Sequence, residues 1–231
     1  MEAAPGLLAG DRYRFEWHLE TNAVLRVTTQ GATRAHPARG ELAQIGTRLV
    51  LESGSRLFYL PESTVLYRDA DLRVDTVAEL APGSLLVHLE VVAAGRIARG
   101  ERFEFKGWES RFDARTDGAW LACGRQRCAP AELSPTLPGA WSGFTHWGML
   151  YALGSEVGNE WLSVARGVGP VETGELGVPP ELGGSGGRCS ASRVPGGVAV
   201  ALLGNSAYGL RQSALGVTAA WEDLLDRGLP D

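Results

Sequence analysis

The sequence predicts a mainly β fold, a β-solenoid or sandwich of stacked layers, with about two α-helices, one of them C-terminal. The main observation is a short unit that occurs three times, at 19–25, 51–57 and 80–86. In each copy one apolar strand ends at a leucine, the chain turns through Asn or Gly, and another apolar strand begins. The copies start 32 and 29 residues apart. Repetition at such a period is typical of stacked β architectures, and the 31 glycines fit a turn-rich chain.

Residues 12–19 show the clearest strand pattern of the chain. Apolar side chains occupy every second position from Tyr13 to Leu19, and charged or polar side chains occupy the others, so this segment is predicted as a half-buried strand. The Asp117-Gly118 pair is the best hairpin signal. Turn residues separate the further strands predicted in the first half, which are 23–29, 47–51, 56–60, 73–79, 85–92, 102–108, 111–115 and 120–123.

The composition of the chain changes after Cys128. Residues 129–145 are rich in Pro, Ser and Gly and are predicted as an irregular connection, and 177–187 as a mobile loop. Apolar runs predict strands at 143–153, 160–168 and 198–203, and helical spacing of apolar residues predicts a helix at 206–226. We therefore predict one domain over 1–231, with β layers to residue 128, a variable part at 129–197, and a strand plus helix at 198–231.

Composition excludes several classes of protein. The formal net charge of −5 argues against nucleic-acid binding, which needs a basic face. The sequence has no signal-peptide pattern and no apolar run of membrane-spanning length, so we expect a soluble cytoplasmic protein with no membrane partner. Three cysteines, Cys123, Cys128 and Cys189, are an odd number and are expected to be ordinary reduced thiols. No common catalytic motif occurs, so we expect no enzyme activity.

Two polar residues of the strand at 85–92 are candidate metal ligands. His88 and Glu90 are two positions apart and share one face, while Val87, Leu89 and Val91 share the other. An imidazole and a carboxylate together suit a borderline divalent metal such as nickel. From these two residues alone, a solvated polar face is the simpler interpretation.

Several segments, taken in order, resemble motifs of the UreD (UreH) family of urease accessory proteins. The resemblance covers the first half well, the tail weakly and residues 129–197 hardly at all. The matching segments are Gly6-Leu-Leu-Ala-Gly-Asp11, Thr28-Thr-Gln-Gly-Ala-Thr-Arg34, Leu60-Pro-Glu-Ser-Thr-Val-Leu-Tyr67, and Glu90-Val-Val-Ala-Ala-Gly-Arg96 followed by Gly100-Glu-Arg-Phe103.

The resemblance implies a non-enzymatic scaffold that acts in urease maturation. Such a scaffold binds urease apoprotein, the accessory protein UreF and, through UreF, the GTPase UreG, and it conducts nickel to the urease active site. The resemblance also implies nickel in transit, with no tightly bound cofactor. It implies a transit path through Asp11, Thr33 and Glu90, to which His88 is added from the strand pattern.

The sequence also departs from the family pattern. The family has about fifty residues with further strands before the first motif, so we expect a short N-terminus here. Arg34 replaces a usual Lys. Gly124 replaces a usual Glu of the tunnel, so a polar group is expected to be missing there.

Two other functions stay open. The chain could be an assembly scaffold that moves no metal, as the short N-terminus and Gly124 would suit. It could also be a β-layer protein that binds polysaccharide, with exposed tryptophans as platforms for sugar rings. The candidate platforms are Trp108, Trp120, Trp141 and Trp147.

Overall fold

The structure, a computed structural model, describes residues 6–137, 139–168 and 187–227. These residues form two β-sheets and two α-helices, which confirms the predicted fold class. The strands are β1 (Arg12–Leu19), β2 (Val24–Val27), β3 (Thr33–Ala35), β4 (Ala43–Leu51), β5 (Arg56–Tyr59), β6 (Thr64–Leu66), β7 (Asp71–Leu80), β8 (Leu85–Ala93), β9 (Gly107–Thr116), β10 (Ala119–Cys128), β11 (His146–Gly154), β12 (Arg188–Val194) and β13 (Gly197–Gly204), and the helices are α1 (Asn159–Gly167) and α2 (Ala207–Arg227).

The strands form two facing sheets. Sheet I has the order β1-β4-β7-β9-β10, and sheet II has the order β12-β13-β11-β8-β5-β2. In sheet II, β6 also pairs with β8, and β3 pairs with β6. Strands β1, β4, β7 and β9 pair in parallel, as do β2, β5 and β8. The chain therefore crosses from sheet I to sheet II once in each coil of a short solenoid, and antiparallel strands extend both sheets after β9.

The three repeated units form the turns that join the two sheets. The fourth residue of each unit, Asn22, Gly54 or Gly83, has a positive φ of 60°, 69° or 78°. The turns stack directly, because Asn22 N donates to Ser53 O and Ser53 Oγ donates to Pro82 O. The repeat seen in the sequence is therefore the coil of the solenoid.

Three apolar clusters hold the layers together. One lies on the outer face of sheet II, where α1 and α2 cover it and Trp161 packs on Trp221. The other two lie between the sheets, one around Trp108 and Trp147 and one around Leu49 and Leu86. Sheet II is thus covered on both faces, while the outer face of sheet I carries charged side chains joined in ion pairs. No described helix is long and apolar enough to span a membrane.

Two of the predicted strands are wrong. Residues 160–168 belong to helix α1, because Trp161 and Ala165 are one helical turn apart and both pack into the outer cluster. Residues 102–108 are irregular up to Gly107, where β9 begins, and Phe103 has a left-handed φ of 52°. The sequence also missed β3, β6 and β12. The loop predicted at 177–187 lies outside the described residues except for Gly187.

The stacked turns predict a specific effect of Gly54→Ala on stability. A Cβ at Gly54 would lie 2.2 Å from Asn22 Oδ1 in the neighbouring turn, and the φ of 69° disfavours any side chain. Gly118→Ala is the matched control, because Gly118 has a φ of 80° and nothing within 4 Å of an added Cβ. The left-handed conformation alone costs about 1–2 kcal/mol, and we expect Gly54→Ala to cost more than the control in urea unfolding. Equal losses would show that the stacking contact contributes nothing.

Candidate functional site

A band of polar side chains crosses the space between the two sheets. Sheet I contributes the buried hydroxyls of Thr47, Thr76 and Ser110. On each of these strands, the inner-facing residues before the hydroxyl pack in one interlayer apolar cluster, and those after it pack in the other. Strand alternation places all of them on the inner face. Sheet II contributes inner-facing side chains from β5 and β8. The polar band is therefore defined as Thr47, Tyr59, Thr76, His88, Glu90 and Ser110.

Glu90 bridges the two sheets. Its Oε2 accepts a hydrogen bond from Ser110 Oγ at 2.7 Å, which joins β8 to β9 across the interior. Burial raises the pKa of Glu90 to about 7, and the Ser110 hydrogen bond opposes part of that rise. Near neutral pH this carboxyl is therefore present in both protonation states.

The two sheets do not close completely around Glu90. Ile45 and Val74 on sheet I, and Glu90 and Met149 on sheet II, face the opposite sheet from central strands but remain only half-buried. Ile45 pairs with Val74, and Glu90 pairs with Met149, so the accessible surface lies at one level of the sandwich. We call this space the interlayer gap; Ile45, Val74, Glu90, Ser110 and Met149 border it.

His88 lies one inner-facing position from Glu90 and is 4% exposed. Its ring lies between Tyr59, with ring centroids 5.6 Å apart, and Phe112, at 4.8 Å. Nδ1 is buried and has no hydrogen-bond partner. Burial lowers the pKa of His88 to about 4, so the imidazole is neutral at physiological pH.

The solvated face expected for His88 and Glu90 is therefore wrong. Both side chains do share one face, as the alternation predicts, but that face points between the sheets. The sequence could not show this, because β8 is apolar on its other face and is covered on both sides.

The structure places Asp11 and Thr33 away from the Glu90–Ser110 bridge. The Asp11 carboxylate accepts a hydrogen bond from Leu8 N at 2.8 Å and closes a local turn. Thr33 lies in β3 opposite Thr64, at the first coil of the solenoid, and two positions before the buried Ala35. Among the described residues, no group of three or more His, Cys, Asp or Glu side chains could hold a metal ion.

Several motif residues have structural contacts. Glu101, 5% exposed, forms an ion pair with Arg96 at 2.5 Å and accepts Arg68 N, so it fixes the loop after β8. Thr29 Oγ1 accepts Glu62 N at 2.9 Å, and the Glu62 carboxylate pairs with Arg211 of α2 at 3.1 Å. These contacts fasten the corners of the coils and the C-terminal helix.

The tryptophans do not form a sugar platform. Trp108, Trp141 and Trp147 are buried and pack on one another in an interlayer cluster. Trp120 is 43% exposed, with the Arg115 guanidinium 3.7 Å above its ring. The structure therefore contradicts the expected aromatic surface at three of its four positions.

The three cysteines are free thiols at separate places. Cys123 is exposed on the outer face of sheet I, and Cys189 is half-buried on β12. Cys128 is buried in an interlayer cluster, and its burial raises the pKa of the thiol to about 11.

Sequence reasoning found His88 and Glu90 but missed the hydroxyls of sheet I. A signal for two of them existed, because Thr47 and Thr76 each lie four positions before the leucine that opens a repeated turn unit, Leu51 or Leu80. A polar residue at the same inner-facing position of two successive coils indicates a polar level inside the solenoid.

Comparisons with known proteins agree on one family. The family model described as UreD urease accessory protein matches residues 1–230. Relatives named urease accessory protein UreD include those of Haloarcula marismortui (32% identical, covering 97% of this chain and 72% of the relative), Actinobacillus pleuropneumoniae serotype 5b (36%, 65% and 56%) and Trichormus variabilis (33%, 77% and 63%). The chain spans less than two thirds of the second and third relatives' length.

Burial of Glu90 predicts a characteristic dependence of stability on pH. Its folded pKa of about 7 lies above the ordinary 4.5, so the folded state keeps a proton that the unfolded state releases between these values. The free energy of unfolding therefore falls as pH rises through this window. We expect Glu90→Gln, which keeps an acceptor for Ser110, to be more stable than wild type at about pH 8, by up to roughly 3 kcal/mol.

The measurement is urea unfolding of both proteins from about pH 5 to about pH 8. His88 and His146 act in the opposite direction, because burial lowers both pKa values to about 4 and stability falls as pH drops from the ordinary 6.5. Both histidines are present in both proteins, so their effect cancels in the difference. A difference that does not change with pH would refute the buried titration of Glu90.

Proposed function

The chain belongs to the UreD family of urease accessory proteins, and from that membership we propose that it acts in urease maturation as a non-catalytic scaffold that conducts nickel through the interlayer gap. The observation that carries the proposal is the Glu90–Ser110 bridge beside a space between the sheets. A carboxylate at such a place is costly unless it meets a cation or a hydrogen-bond donor.

The chemistry of the gap suits weak, transient binding of a divalent cation. Nickel accepts nitrogen and oxygen ligands. Glu90 and the Ser110 hydroxyl offer oxygen at the gap, and the His88 imidazole and the hydroxyls of Thr47 and Thr76 offer nitrogen and oxygen one inner-facing position away. A transit route must bind its ion strongly enough to admit it and weakly enough to release it. One carboxylate with scattered neutral groups meets that requirement better than a closed set of strong ligands.

We propose urease apoprotein, UreF and, through UreF, UreG as partners of this scaffold. A second candidate function is assembly of these partners without metal transit. The position of Asp11 favours it, because that carboxylate is committed to its own turn and does not extend the series of ligands beyond Glu90 and His88.

Nickel-dependent activation of urease separates the two functions. Urease apoprotein is activated at limiting nickel with UreF, UreG and either wild type or Glu90→Gln of this chain. We expect the variant to assemble normally and to activate urease at least about fivefold more slowly, because it loses the one interior carboxylate of the gap, an effect of roughly 1 kcal/mol or more.

Glu20→Gln is the matched control, because Glu20 is an exposed carboxylate in a turn between the sheets. It should activate urease like wild type. If Glu90→Gln also activates at the wild-type rate while remaining in the complex, the scaffold moves no metal through this gap. If wild type neither enters the complex nor promotes activation, the role in urease maturation itself is refuted.

A further inference from the structure

The inner face of β10 has a notch at Gly124, and the hydroxyl of Tyr151 fills it. Gly124 lies two positions from Ala122, which packs in an interlayer cluster, and therefore faces inward. A Cβ at Gly124 would lie 2.5 Å from Tyr151 Oη and 3.4 Å from Phe112 Cβ. Tyr151 Oη therefore stands where any side chain at position 124 would begin, and only glycine leaves it room.

A row of stacked rings fixes the direction of the Tyr151 hydroxyl. The Tyr151 ring lies parallel to Phe112, with centroids 4.4 Å apart and planes at 9°, and Phe112 in turn contacts His88. His88 stacks on Tyr59, whose phenol is hydrogen-bonded to Thr47. Tyr59, His88 and Tyr151 come from sheet II and Phe112 comes from sheet I, and a phenol ring stands at each end of the row.

This row of rings lies next to the interlayer gap, on the side of the gap that is nearer to Leu86. Tyr151 pairs with His88 in the register of β11 and β8, and Met149 pairs with Glu90. The two pairs occupy adjacent inner-facing positions, so Tyr151 is one position from the gap. Burial, with the Glu90 charge as a smaller cause, raises the pKa of Tyr151 to about 12, so its hydroxyl is neutral at physiological pH.

We propose that Tyr151 is a positioning residue for the cation that passes through the interlayer gap, its hydroxyl being the polar group that the sandwich presents beside Gly124. This inference rests on the proposed nickel transit. A neutral hydroxyl in a fixed direction can accept a hydrogen bond from water bound to a divalent cation, or contact the cation directly, without holding it tightly. It supplies an oxygen at the level of Gly124, where β10 itself offers only backbone.

Three variants separate this role from simple packing: Tyr151→Phe, Gly124→Ala and the double variant. Tyr151→Phe keeps the ring and removes the oxygen. Gly124→Ala places a Cβ against that oxygen, so it should lower the melting temperature and slow nickel-dependent activation. In the double variant the clash is relieved, because the new methyl group occupies the space that the hydroxyl left.

Two measurements are made on each variant: thermal unfolding of the purified chain, and urease activation at limiting nickel with UreF and UreG. We expect the double variant to be more stable than Gly124→Ala, which tests the geometry without any urease. We expect Tyr151→Phe and the double variant to assemble but to activate about fivefold more slowly than wild type, the change that one lost hydrogen bond produces.

The outcomes are distinguishable. If Tyr151→Phe or the double variant activates urease at the wild-type rate, the hydroxyl serves packing alone and the inference is overturned while nickel transit stands. If the double variant is no more stable than Gly124→Ala, the hydroxyl does not occupy the notch and the inference also fails. If Glu90→Gln activates normally in the same assay, nickel transit fails and the role of Tyr151 fails with it.

Discussion

The register with which each coil stacks on the one before it is the constraint on which the other features depend. Three turns set this register, and each has a left-handed residue at the same position, Asn22, Gly54 or Gly83. Hydrogen bonds between successive turns lock them together. Because side chains alternate along a strand, a slip of one residue would move the whole inner set to the outer face. The stacked turns therefore decide which residues meet between the sheets.

The polar band is a consequence of this register, and it destabilises the fold. Equivalent positions of successive coils bring Thr47 beside Thr76, and the next parallel strand places Ser110 beside Val74, one inner-facing position away. These groups interrupt what would otherwise be one apolar interior, and they leave His88 Nδ1 without a partner and Glu90 with a raised pKa. Burial of such groups destabilises a fold, so they indicate a function rather than a contribution to stability.

The sequence predicted best where a single pattern had only one interpretation. Strand β1 was predicted at its observed bounds, since one side of it faces water and one faces the other sheet. Helix α1 was missed because Trp161, Leu162, Val164 and Ala165 fit an apolar strand as well as a helix, and the packing partner Trp221 lies far along the chain. The segment at 102–108 alternates like a strand, but the Arg96–Glu101 ion pair and the conformation of Phe103 hold it in a different shape.

The same distinction applies to the site. Alternation correctly placed His88 and Glu90 on one face of β8. It could not show whether that polar face lies in solvent or between the sheets, because β8 is covered on both sides. Gly124 looked like the loss of a polar group, because a single position in a sequence carries no information about the side chain opposite. The structure shows that Tyr151 Oη, from the other sheet, occupies that place. Several strands contribute side chains to each level in the interior of a solenoid. A strand of one sheet can therefore supply a polar group where a strand of the other sheet has none. A chain with glycine at position 124 can therefore keep a polar level between its sheets.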